Sequence, residues 1–366
     1  MVIGMEITSL TLAAAVALSV LAALSADGAE AATSPLRWTQ LPSIPDHEGF
    51  AGPFSGISSG ALIVAGGANI AGDKWADSFQ KVWYDSVFVL EKPDGVWRTG
   101  FKLPRALGYG VSISANDSVI CIGGSDAKQH YTDVVRLGWK NGTIEISALP
   151  SLPRPCANAC GALIGETIYV AGGIDTPAAT TASKTFWKLD LAEKTSRWTE
   201  LEPWPGPGRM FAVASARGGA FYLFSGAALK AGPDGKPVRE FLRDAYRFVP
   251  ADNKWERLAD MPRPAVAAAS PAPAIDKKVL IFSGDDGTNV DFKPLTKHPG
   301  FPRDVLAFDT TKNAWSTAGP TPFSRATVPA VEWNGRIVVP NGEARPRERS
   351  PEVWSAESTV KGAAFK

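Results

Sequence analysis

The sequence predicts an all-β chain folded as a six-bladed β-propeller, and three observations carry that expectation. An apolar strand ending in a small doublet recurs six times, tryptophan follows in phase five times, and the composition suits short strands joined by tight turns. The doublet strands are Val64-Ala65-Gly66-Gly67, Cys121-Ile122-Gly123-Gly124, Val170-Ala171-Gly172-Gly173, Leu223-Phe224-Ser225-Gly226, Ile281-Phe282-Ser283-Gly284 and Val339-Pro340-Asn341-Gly342. Their last residues are 57, 49, 53, 58 and 58 positions apart, close to the length of one four-stranded sheet per repeat. Thirty-five Gly, 29 Pro, 12 Trp and 17 Phe with only 20% charged residues favour strands and turns over long surface helices. Almost no helix is expected.

From the N-terminus, the first element is a nearly unbroken run of Leu, Ala and Val from Leu10 to Leu24, followed by Ala29-Glu30-Ala31. An apolar run of that length before a small-residue cleavage pattern reads as an export signal over residues 1–31. The run is short for a bilayer span and nothing later is longer, so no membrane span is expected. The mature protein is expected to be soluble, and periplasmic or secreted. Residues 36–356 are assigned to the propeller and 357–366 to a C-terminal tail.

Within the repeats, most doublets are followed by a strand holding Asp among apolar residues: Tyr84-Asp85-Ser86-Val87, Thr132-Asp133-Val134, Arg243-Asp244-Ala245-Tyr246 and Arg303-Asp304-Val305-Leu306. A tryptophan strand comes next, at Trp38, Trp97, Trp198, Trp255 and Trp315, while the second repeat carries the strand near Ile144 instead. Phase also predicts how the circle closes. Trp38 precedes the first doublet, and the sixth doublet is followed by one strand near Val353 and no tryptophan strand of its own. The segment Leu36 to Leu41 is therefore expected to supply the outer strand of the last blade, which would otherwise leave an open sheet edge.

Composition narrows the partners. Thirty-eight Lys plus Arg against 37 Asp plus Glu lack the basic footprint of a nucleic-acid binder, so a small molecule is expected. Cys121, Cys156 and Cys160 are an odd set and are read as buried small hydrophobes. His47, His130 and His298 are scattered without ligand spacing, which argues against a copper oxidase built on a propeller.

Antiparallel alternation puts the link into each inner strand and the link after each doublet on one face. The post-doublet segments are long after Gly67, Gly226 and Gly284, and insertions on one face of a repeat protein point to its binding side. Five inner strands begin with an arginine, Arg105, Arg154, Arg209, Arg263 and Arg325. These form either a ring of cations suited to an anionic ligand or a set of ion pairs with the mid-repeat aspartates of neighbouring blades. Charge is densest after the sixth doublet, in Gly342-Glu343-Ala344-Arg345-Pro346-Arg347-Glu348-Arg349, where a carboxylate among arginines could serve as a base and an arginine could hold a substrate carboxylate. The plainer alternative is a solvated loop near a terminus.

The doublet, mid-repeat strand and tryptophan together resemble the kelch repeat. Several runs further resemble the bacterial sialic acid mutarotases, or N-acetylneuraminate epimerases, which are exported kelch propellers: Gly49-Phe50-Ala51-Gly52, Ser55-Gly56-Ile57-Ser58, Leu62 to Ala68, Tyr109-Gly110-Val111-Ser112 and Asn341-Gly342-Glu343-Ala344-Arg345-Pro346. The resemblance implies that Glu343 is the proton acceptor and that Arg349 contributes to the site, with Arg105, Tyr109, Asn69 and Arg345 as substrate-binding candidates. In familiar members the Glu motif precedes the Gly-Phe-Ala-Gly stretch, whereas here it follows it, as in a cyclically permuted branch of the family. The implied reaction interconverts the α and β anomers of N-acetylneuraminate or a related acidic sugar through the open keto form. It needs no cofactor. A non-catalytic carbohydrate-binding or protein-interaction propeller is the alternative function.

Overall fold

The computed structural model describes residues 34–193, 195–232, 234–360, 362 and 365. The expected signal at 1–31 lies outside them. Six four-stranded antiparallel sheets surround a central channel, and the single 3-10 turn Leu295–Lys297 is the only helical element among the described residues. Blade 1 runs outward from the channel as Phe54–Ser58, Ala61–Ala65, Ser86–Leu90 and Arg98–Lys102. Blades 2 to 5 repeat that order from inner strands Val111–Ala115, Cys160–Ile164, Val213–Arg217 and Ala274–Ile275. The second blade does carry its outer strand at Thr143–Ala148, without a tryptophan.

Blade 6 is the composite expected from the repeat phase. Val331–Trp333, Arg336–Pro340 and Val353–Ser358 supply three strands, and Leu36–Leu41 is the fourth. It pairs antiparallel with the third, Leu36 opposite Ser358 and Leu41 opposite Val353. After that strand the chain returns to blade 5, where buried Phe365 bridges Ile275.

The apolar content of the strands follows from their neighbours. Each second strand lies between other strands of its own sheet and between two flanking blades, so Ala61–Ala65 and Ala220–Phe224 are buried at every position. Outer strands face solvent, and Thr143–Ala148 is almost wholly exposed. Tryptophans on the outer strands, or immediately before them, fill the wedge between blades and tie each to the preceding one: the indole N–H groups of Trp97, Trp198, Trp255 and Trp315 donate to Pro42, Pro150, Glu202 and Ala259 carbonyls at 2.8, 2.8, 2.9 and 2.9 Å. Cys121, Cys156 and Cys160 are free and buried, and burial pushes the Cys156 and Cys160 thiols up to about 12.

The doublets perform the other half of the stitching. The amide of Gly67 donates to Leu107 O at 2.9 Å, and those of Gly124, Gly173, Gly284 and Gly342 donate to Cys156, Arg209, Arg325 and Phe50 in the same way, while in the fourth doublet the Ser225 hydroxyl accepts the Ala265 amide at 2.8 Å. Gly66 sits at φ 63°, and a Cβ there would stand 2.2 Å from Leu107 O, which is why glycine occupies the site.

Just beyond these grips, one residue per blade adopts positive φ: Gly52, Tyr109, Asn158, Phe211, Ala267 and Thr327, between 52° and 61°. Each amide donates to the previous member's carbonyl at 2.7 or 2.8 Å, and Gly52 donates to Thr327. Six hydrogen bonds thus form a closed ring around the channel. They satisfy backbone groups that no sheet ladder reaches and fix the channel's throat.

Candidate functional site

The ring places the chemistry. The residue before each ring member forms an antiparallel bridge to the residue after a doublet: Ala51 with Ala68, Gly108 with Ser125, Ala157 with Ile174, Met210 with Ala227, Val266 with Asp285 and Ala326 with Glu343. Six equivalent positions therefore surround the mouth, and only those of blades 5 and 6 carry carboxylates.

Asp285 and Glu343 line one cavity of about 350 Å³, a size suited to a single sugar. Its floor is built from ring residues Tyr109, Phe211, Ala267 and Thr327. Its walls come from the post-doublet insertions. Phe79 and Lys81 belong to the blade 1 hairpin of Ala68–Ala71 and Gln80–Trp83, and Arg239 to the blade 4 hairpin of Ala227–Ala231 and Pro237–Phe241. Pro346, Arg347 and Arg349 belong to the blade 6 hairpin that begins at Glu343.

Glu343 Oε1 accepts the Arg347 amide at 2.9 Å and stands 3.2 Å from Nη1 of buried Arg349. That nitrogen is not aligned as a hydrogen-bond donor, so the pair is electrostatic rather than a two-pronged fork. Arg347 takes φ 69°, which turns its amide toward the carboxylate. Its guanidinium donates to the carbonyls of Lys74 and Ala76 at 3.3 and 3.0 Å and lies 4.1 Å over the Phe79 ring, bracing the hairpin on the blade 1 insertion. Lys81 Nζ lies 3.8 Å from the Tyr109 ring centroid, a cation–π contact at the floor. Neither Lys81 nor Arg239 is ion-paired to a carboxylate among the described residues. The Asp285 Oδ1 atom accepts the Gly287 amide at 3.0 Å. Burial raises the Asp285 carboxyl above the usual carboxylate range, Asp286 adds to this, and the Gly287 amide, Arg239 and His298 act against it.

Of the residues expected from sequence, Glu343, Arg349 and Tyr109 meet in this cavity. The other three lie elsewhere. Asn69 is buried and occupied by backbone, its amide donating to Gly49 O at 2.8 Å and its carbonyl accepting the Ile70 amide at 2.8 Å. Arg345 turns away from the cavity, donating to Glu348 at 2.7 Å and to Thr296 O at 2.8 Å. Arg105 pairs with Asp133 at 3.2 Å and lies 4.5 Å over the Tyr131 ring.

The ring of arginines is corrected with it. Arg154 pairs with Glu200, Arg209 with Asp244, Arg263 with Asp304 and Arg325 with Glu352. Each partner lies in the blade that its arginine enters, not in a neighbouring one. An arginine at the start of an inner strand spans the edge of its own blade and reaches the carboxylate beside the third strand, or in Arg154 the outer strand, before it can reach the mouth.

Lys81, Arg239, Arg347 and Asp285 were not singled out from sequence. For Asp285 a signal existed, since it follows the fifth doublet as Glu343 follows the sixth. Lys81 and Arg239 lie on non-repeating insertions whose length marked them, but whose side-chain directions have no repeat to predict them. No group of three or more His, Cys, Asp and Glu side chains that could hold a metal ion is present among the described residues.

Comparisons with known proteins agree with this architecture. Among solved structures, one titled "Structure of YjhT" superimposes with a TM-score of 0.63 at 16% identity, covering 89% of this chain and 99% of that one, which supports the propeller fold. A protein named N-acetylneuraminate epimerase from Haemophilus influenzae (strain PittEE) is 29% identical over 240 residues, 59% of this chain and 61% of that protein. One of the same name from Yersinia pestis (strain Pestoides F) is 28% identical over 229 residues, 56% of each. The chain thus spans about 56 to 61% of the length of the curated relatives it matches. The profile described as N-acetylneuraminate epimerase matches residues 20–146 and 149–293, stopping short of the Glu343 hairpin. Since that match takes in well over half of the chain and the hairpin beyond it completes the same propeller, the chain belongs to the N-acetylneuraminate epimerase family.

Proposed function

We propose that this protein is a mutarotase that interconverts the α and β anomers of N-acetylneuraminate or a closely related acidic sugar. The observation that carries this reading is the carboxylate of Glu343 on the wall of a sugar-sized cavity, hydrogen-bonded by the Arg347 amide and flanked by Arg349. A carboxylate placed there can take the proton of an anomeric hydroxyl as the ring opens and return it when the ring closes on the other face. Lys81 and Arg239, free of carboxylate partners among the described residues, supply positive charge for the carboxylate of an acidic sugar. The relatives' shared name supports the same substrate class.

Freshly dissolved N-acetylneuraminate followed by NMR tests the reading. The protein should shorten the approach to anomeric equilibrium in proportion to its concentration. Binding of the sugar at the buffer rate of exchange would instead identify a non-catalytic carbohydrate-binding propeller. We further propose that the protein acts outside the cytoplasm, on the strength of the apolar run from Leu10 to Leu24. Cell fractionation, with N-terminal sequencing of the mature chain, checks that placement.

A further inference from the structure

Ring opening needs two proton transfers. As the anomeric hydroxyl gives up its proton to a base, the ring oxygen must receive one from an acid, or the open form cannot be released. Glu343 accounts for the first transfer. The groups nearest it, Arg349 and the Arg347 amide, are poor acids, because a guanidinium keeps its proton under all physiological conditions.

Asp285 has the position and the environment for the second transfer. It occupies in blade 5 the same post-doublet position that Glu343 occupies in blade 6, each held by a two-sided backbone bridge to the residue before a throat member. Hydrogen bonds of 2.8 Å both ways join Asp285 to Val266, and of 2.9 Å both ways join Glu343 to Ala326. Both residues line one cavity, and they reach it from adjacent blades. The four other equivalent positions hold Ala68, Ser125, Ile174 and Ala227, none of which titrates as a carboxylic acid.

We propose that Asp285 is the general acid of the anomer exchange, delivering its proton to the ring oxygen while Glu343 removes the proton of the anomeric hydroxyl. The assignment rests on the mutarotase reading given above. In the forward step the bond between the anomeric carbon and the ring oxygen breaks, its electron pair stays on the oxygen, and the oxygen takes the Asp285 proton. The anomeric carbon becomes the carbonyl of the open keto form. After rotation exposes the other carbonyl face, the new hydroxyl adds back and returns its proton to Asp285. Glu343 gives its proton to the carbonyl oxygen, both groups end as they began, and nothing is consumed.

Burial favours the neutral form of Asp285, which is the form a general acid must hold. Asp286, Arg239 and His298 are the charged or titratable groups acting on Asp285 from its own loop, the blade 4 hairpin and the 3-10 segment. Across the cavity stand Lys81, Glu343, Arg347 and Arg349. An acid whose proton is retained above the usual carboxylate range works below its own pKa and fails as pH rises through it.

The test uses the full mature chain with Asp285→Asn, which keeps size and an acceptor for the Gly287 amide but cannot donate as an acid. Catalysed exchange of N-acetylneuraminate should fall by about 100-fold or more. Sugar affinity should change less than about threefold, and the alkaline fall of the wild-type rate should vanish from the residual activity. If Asp285→Asn does not fold, Asp285→Ser replaces it, copying the residue that blade 2 holds at this position. A variant as active as the wild type, or one retaining the alkaline fall, overturns the assignment of the acid while leaving the mutarotase reading intact. A wild-type protein that does not accelerate exchange overturns both, so the two failures are distinguishable.

Discussion

The indole nitrogen of Trp97 donates to the carbonyl of Pro42 at 2.8 Å, tying the outer strand of the first blade to the end of the strand that completes the sixth. The same kind of tie joins blades 2 and 3, 3 and 4, and 4 and 5, but here it anchors the end of the strand that closes the circle. Leu36–Leu41 is thus held both by its ladder to Val353–Ser358 and by blade 1 beyond it.

Removal of that strand should therefore destabilise the whole propeller. Leu36 and Leu41 are buried, at about 1.5–3 kcal/mol each, and Trp38 packs edge-on against Phe282 and Phe323. A truncation beginning at residue 42 should melt roughly 5 °C or more below the chain beginning at residue 34. Equal melting curves would refute the closure as a source of stability.

The Arg209–Asp244 pair should matter for stability and not for sugar chemistry. Arg209 is fully buried, and its two terminal nitrogens each donate to an Asp244 oxygen at 2.8 Å, with a further bond from Nη1 to Ser225 O at 2.8 Å. Asp244→Ala strands a buried guanidinium, which costs about 3–5 kcal/mol. Denaturant unfolding should show that loss, while anomer exchange by the folded fraction at 25 °C should stay within about twofold of wild type.

These pairs also show where sequence reasoning reaches and where it stops. Doublets and tryptophans repeat because every blade needs the same grip and the same wedge, so their phase predicted six sheets and the composite last one. The arginines repeat for the same structural reason, and that repetition made them resemble a ligand-binding ring. Three of their carboxylate partners, Asp133, Asp244 and Asp304, are mid-repeat aspartates and two, Glu200 and Glu352, are not, and whether an arginine reaches its own blade, the next one or the mouth depends on the path of its link. Tyr109 and Glu343 were legible because they sit at positions tied to the repeat or to a recognised motif. Lys81 and Arg239 sit on hairpins that only one blade carries, so nothing elsewhere in the chain reports their direction.

Lys81 and Arg239 should read the charge of the substrate. Lys81→Ala and Arg239→Ala each remove a cation from the cavity wall and leave Glu343 and its partners Arg347 and Arg349 in place. Each should raise KM for N-acetylneuraminate by about tenfold, the worth of one charge-assisted contact. For a neutral sugar lacking the carboxylate, KM should move less than about twofold. Equal effects on both sugars would show that these residues shape the cavity and do not recognise the acid.

Glu343 and Arg349 should separate by the kind of defect that each produces. Glu343→Gln keeps the shape and can still accept the Arg347 amide, but it removes the base, so kcat should fall by about 100-fold or more with substrate affinity nearly intact. Arg349 calls for a different expectation, because its side chain is buried and its nearest charged partner is Glu343 at 3.2 Å. Arg349→Lys keeps the positive charge but shortens the reach and loses the planar head, leaving Glu343 less firmly oriented. A residue acting through Glu343 should lower kcat, by about tenfold, and leave KM within about twofold. If Arg349 instead bound the sugar carboxylate, KM would rise and kcat would hold, and a neutral sugar would escape the effect. Steady-state kinetics of Arg349→Lys on acidic and neutral sugars therefore decides between the two roles. The double variant Glu343→Gln/Arg349→Lys gives the independent check: with the base already absent, an arginine that only orients it has no further activity to lose, whereas one that binds substrate still weakens affinity.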